Sequence, residues 1–141
     1  MGKVHRLLIV FPVSFWTLAM GFDAVAFVSR SELWSAMAYW NLGAGLVAAL
    51  VAGLFGGLAY LRVPPGTRAS RMGLVHALLN ITALGLMGAS FGVRAVSREP
   101  SMTPWTLGAA VVGYGLVLVS SWIGRELATV RAVARAALDE V

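Results

Sequence analysis

The chain has 141 residues, of which 59% are hydrophobic and 12% charged, with a formal net charge of +5 and a mean hydropathy of +0.81. Soluble domains carry about 25% charged residues, so a water-soluble globule is excluded. The lack of cysteine removes disulfides, iron–sulfur clusters, thiolate zinc sites and cysteine nucleophiles.

A helix that crosses about 30 Å of hydrocarbon needs roughly 20 apolar residues. Four stretches qualify, at about 7–28, 34–61, 73–93 and 104–123. The fold class expected is therefore all-α, a four-transmembrane-helix bundle. Residues 1–124 form the transmembrane domain, and 125–141 form a short amphipathic C-terminal helix, a cytoplasmic tail that continues the fourth span or lies along the headgroups.

The first span follows Lys3 and Arg6. It is longer than the apolar core of a signal peptide and has no small-residue cleavage site after it, so it is read as a membrane helix. Pro12 lies inside it and removes the N–H that Leu8 would otherwise bond, which predicts a kink. Such a kink also offers a way to turn His5 toward the bundle centre. Asp23, two turns from the far end, is the one ionisable group well inside a span. A charge there must face the bundle, where Arg30, Arg94 and Arg98 are the candidate partners; proton or cation transfer is the functional alternative.

In the second span Gly45, Ala49, Gly53 and Gly57 recur every four residues. Gly88 and Gly92 continue the pattern in the third, and Ala109 with Gly113 in the fourth. Small residues at this spacing let membrane helices approach closely. They predict that the second and third spans form a tight pair, or that these faces dock on another chain. Asn41 reads as glue between helices.

The third span carries His76 and Asn80, four residues apart and so on one face. The topology puts His76 on the same side of the membrane as His5. A neutral imidazole there serves either as an interhelical hydrogen-bonding group or as an axial haem ligand. Arg125 and Glu126 stand where the fourth span leaves the membrane. After them Leu127, Val130, Ala134, Ala137 and Val141 share a stripe, with Arg131 and Arg135 beside it.

Four helices place both termini on one side. That side carries eight of the eleven basic residues, at the N-terminus, in the second loop (Arg62, Arg68, Arg71) and in the tail, against Arg30, Arg94 and Arg98 on the other. The positive-inside bias makes that side cytoplasmic.

With these residues in view, the chain resembles the bacterial membrane family known as domain of unknown function 2231. His5 to Val13 resembles that family's HPLLVHFPI signature, His76 to Asn80 matches its HALLN, and Gly124-Arg125-Glu126-Leu127 is similar to its GGELV. Asp23 falls where the family commonly has an aspartate. Val10 stands in place of the second histidine of the first motif, and a later family histidine is replaced near Arg131. If those histidines serve haem in relatives, this chain keeps one pair, His5 and His76. The resemblance implies the four-helix architecture, and an association with redox systems.

No phosphate loop, zinc-protease motif or nucleophile elbow is present. The basic residues are spread over the gaps between spans, which argues against nucleic acid as a partner. The expected function is therefore that of a non-catalytic small subunit, surrounded by lipid, which packs within a larger respiratory or photosynthetic inner-membrane complex. The alternative is a b-type haem protein using His5 and His76. A weaker one is a proton-coupled transporter using Asp23, which lies near the outer leaflet and not at the midplane usual for transport sites.

Overall fold

A computed structural model of the chain describes residues 2–97 and 103–139, with side chains described for 4–97 and 103–130. All the regular structure is helical: α1 Gly2–Leu8, α2 Val10–Ser29, α3 Glu32–Tyr60, α4 Arg68–Val96 and α5 Pro104–Asp139. Four candidate spans result, Val4–Ser29, Glu32–Tyr60, Arg68–Val96 and Pro104–Val130.

The boundaries follow local chemistry. Pro12 cannot donate to the carbonyl of Leu8, and the chain breaks at Ile9 between α1 and α2. The Val13 amide still reaches Ile9 O, at a stretched 3.4 Å. Arg30 closes α2 in the left-handed region, with φ 54°. In the second loop Gly66 takes φ +78° after the two prolines. Thr67 then caps α4, its hydroxyl oxygen accepting from the Ser70 amide at 3.1 Å. Thr103 and Thr106 cap α5 reciprocally, each side-chain oxygen accepting from the other's amide. Pro104 occupies the first helical position, where no N–H is needed.

One expectation is corrected here. The spans reach further than the apolar runs, so Arg94, read as a loop residue beyond the third span, is inside α4 and 2% exposed. Of the two courses open to the tail, it takes the first: α5 continues the fourth span without a break to Asp139. Its run of Ala and Arg favours helix and contains neither Pro nor Gly after Gly124. The stripe members Ala134, Ala137 and Val141, along with Arg131, Arg135 and the loop residues Arg98 and Pro100, lie outside the described side chains.

The helices form a ring in which α2 adjoins α3 and α5, and α4 adjoins α5 and α3. That leaves α2 diagonal to α4. Packing is uneven around the ring: α2 lies closely along α3, and α4 along α5, while the α3–α4 and α2–α5 seams are thinner. The bundle is thus two hairpins face to face, with α1 leaning on α3. The expected tight pairing of the second and third spans is not what the chain adopts.

The central core is Trp16, Leu42, Met87 and Val117 set among the alanines 19, 83 and 110. Lipid gives no hydrophobic drive between helices, so close approach must supply dispersion contacts. Trp16 shows how. Its ring occupies the space a side chain at Gly45 would fill, and its indole N–H donates to Leu42 O at 3.3 Å. Large apolar residues such as Phe11, Leu18, Leu50 and Ile81 face outward, as a lipid-exposed surface requires.

Candidate functional site: a histidine layer opposite a buried ion pair

The polar groups inside the bundle collect in two layers, one at each end. At the end holding both chain termini, the Pro12 break lets α1 lean on α3. The His5 ring sits against Gly56, where an added Cβ would lie 2.8 Å from its Cε1. Its Nδ1–H donates to Ala52 O at 2.8 Å. Opposite, the His76 ring sits against Gly124, where a Cβ would lie 3.1 Å from its Cε1. The two rings meet at a centroid separation of 6.4 Å, nearly perpendicular at 89°. Both are half-buried.

A hydrogen count assigns the His76 tautomer. Ser120 O and Ser120 Oγ each lie 2.9 Å from Nδ1. The Ser120 hydroxyl hydrogen goes to His76 O at 3.2 Å, so its oxygen is left to accept. Asn80 Nδ2 donates to His76 O at 2.7 Å and to Ser120 Oγ. Its contact with His76 Nε2 is the longest of the three, at 3.3 Å. An amide nitrogen has two hydrogens, and the two shorter bonds use both. Each imidazole therefore donates its Nδ1–H to a backbone carbonyl, and Asn80 Nδ2 lies 3.3 Å from His76 Nε2. A carbonyl on the second nitrogen is how proteins orient and tune metal-binding histidines.

At the opposite end Asp23 and Arg94 form a two-pronged ion pair, with both N–O distances at 2.8 Å and both side chains about 1% exposed. They stand on diagonal helices, so the pair crosses the bundle. Of the three candidate partners for Asp23, the structure selects Arg94. Among the described residues, Arg94 Nε is the buried side-chain polar atom without a hydrogen-bond partner. One turn below, the Ser90 hydroxyl donates to Thr106 O at 2.8 Å and ties α4 to α5.

Of the glycine and alanine positions expected to pack helices, Gly45 receives Trp16 and Ala49 borders the core. Gly53, Gly57, Gly88 and Gly92 have nothing within 4 Å of where a Cβ would stand. Asn41 is turned back on its own helix, donating to Met37 O at 2.8 Å. The structure brings together His5, His76 and Asn80 of the expected residues and sets Asp23 apart from them. It adds Ser120, the Ala52 carbonyl, Gly56 and Gly124. Ser120 looked like one more hydroxyl in an apolar helix. Gly56 was hidden by the more regular Gly53–Gly57 spacing.

Among the described residues, no group of three or more His, Cys, Asp or Glu could hold a metal ion. Two imidazoles alone suit a metal whose remaining ligands arrive with it. A comparison with protein families matches residues 3–137 to the family described as "Predicted membrane protein (DUF2231)", and the chain belongs to that family. No curated protein and no solved structure matches it.

Proposed function

We propose that this member of the predicted membrane protein family carries a non-covalent haem b between His5 and His76, and acts as a small electron-transfer subunit of a larger bacterial inner-membrane complex. The observation that carries the reading is the pair of rings with their protons held on Nδ1. Metal–nitrogen bonds of about 2.0–2.1 Å to both rings would hold the ring centroids about 6 Å apart, close to the 6.4 Å found. His5 and His76 are thus the residues that would hold a haem iron. Without cysteine, haem would be held by ligation and packing alone, as in b-type centres.

A bound haem supplies one-electron chemistry. The chain's own part would be to hold two imidazoles by their Nδ1–H bonds to backbone carbonyls, to exclude water with lipid-facing apolar residues, and to offer cations at this end. Arg6, Arg71 and Arg125 are exposed at this end. The basic residues at this end also favour a cytoplasmic placement for both termini.

The open glycines of α3 and α4 favour membership of a complex, because Gly53, Gly57 and Gly92 leave outward helix surface where another helix can approach. Both Asp23 oxygens are engaged by Arg94, so proton-coupled transport through Asp23 has no observation in its favour.

Protein purified in mild detergent should show a Soret band, together with α and β bands that sharpen with dithionite. His5→Ala and His76→Ala should each abolish the bis-histidine spectrum while leaving helicity unchanged. Wild-type protein supplied with haem that gave no Soret band would sink the reading.

A further inference from the structure

The two histidines belong to different halves of the molecule. His5 is bonded to α3 through Ala52 O, on the α1–α2–α3 side, and His76 to α5 through Ser120, on the α4–α5 side. Within each half the helices pack closely, and between the halves the seams are thin. The ring-to-ring spacing at the histidine end is therefore set by how the halves are held together, not by either half alone.

Other side-chain contacts cross between them among the described residues. At the histidine end, Tyr60 of α3 meets Ser70 of α4 at 3.5 Å between hydroxyls, its ring lying against Gly73. Phe91 of α4 stacks on Tyr39 of α3, with centroids 4.6 Å apart and planes 8° from parallel. Thr17 of α2 meets Tyr114 of α5 at 2.7 Å between hydroxyls. The charged contact is Asp23–Arg94, and of these it is the one that spans the diagonal. Its planar fork fixes the relative rotation of α2 and α4 as well as their separation. An apolar pair in the same place would tolerate sliding. Buried ion pairs are weak evidence for stability, and their best-attested use is to specify one arrangement among several.

We infer that Asp23 and Arg94 are positioning residues for the histidine site, a latch about 27 Å along the helix from His5 that sets the angle between the two halves and so the spacing of the two imidazoles. The consequence for a bound metal rests on the haem reading; the geometric part does not.

The test uses nitroxide labels introduced as L7C and L78C, beside the two histidines on the lipid-facing surface, where Leu7 is 70% and Leu78 55% exposed. The chain has no native cysteine to interfere. Full-length protein in lipid nanodiscs should give one narrow label-to-label distance distribution. D23N should broaden it. Since D23N leaves a buried arginine unmatched and risks misfolding, the deciding variant is the double D23L/R94M, which removes both charges. It should stay helical and monodisperse, yet show a broadened distribution and release haem about tenfold faster, within the usual range of coupling between sites. Ser29→Ala, on the same helix but outside the latch, should match wild type. A folded double variant with a wild-type distribution overturns the inference, and so does a broadened one with unchanged haem release. Wild-type protein without a Soret band defeats the haem reading instead, while the label distances still decide whether the latch exists.

Discussion

At one end of the bundle Asp23 and Arg94 meet the need of a buried charge by satisfying each other. At the other, the His5 and His76 rings stand with centroids 6.4 Å apart, and each donates its Nδ1–H to a backbone carbonyl of the helix beside it. The first arrangement is closed and holds helices. The second sets two imidazole rings in one layer, each oriented by a backbone carbonyl. The same low dielectric acts on both ends, and the difference lies in where the protons and charges are spent.

The largest break in this comparison comes from leaving a charge stranded. Arg94→Met alone, with Asp23 still buried, should cost about 3–5 kcal/mol, read as a collapse of the melting transition in detergent. The double D23L/R94M should restore most of that loss. Equal stability of the single and double variants would mean that the ion-pair end is not a closed charge system.

Filling a ring seat should have the next largest effect, and it should act at the histidine end. Gly56→Val or Gly124→Val forces an imidazole out of its place at about 1–3 kcal/mol, with loss of the haem spectrum. Gly53→Val and Gly57→Val should cost within about 0.5 kcal/mol, as ordinary surface changes do, and should weaken only co-purification with partner subunits. This contrast separates glycines that seat a ring from glycines that face outward. In sequence the two sorts look alike, and the regular spacing pointed to the outward ones. Which glycine faces a ring depends on the rotation of each helix about its axis, which the thin seams and the Pro12 break decide.

A smaller effect should sharpen the tautomer assignment. Ser120→Ala removes the hydroxyl that accepts from Asn80, at about 1 kcal/mol, but keeps the Ser120 carbonyl that holds His76 Nδ1. The haem spectrum should persist with a shifted midpoint potential. Loss of haem would show that the hydroxyl, not the carbonyl, holds the ring.

The number of spans, their order and the end at which each histidine falls were legible in the chain itself, because hydropathy and charge are sums over neighbouring residues and need no knowledge of the fold. His5, His76, Asn80 and Asp23 were singled out for the same reason, since a polar group in an apolar run is conspicuous wherever it points. Tertiary structure decided that Arg94 lies inside the membrane span and reaches Asp23 across the diagonal, and that His5 and His76 meet with their protons turned to carbonyls. It also decided that Gly56 and Gly124, not the GxxxG pairs, make the close approaches at this layer. These outcomes depend on how four cylinders rotate and tilt against one another, which contacts between residues far apart in the chain determine and no local pattern records.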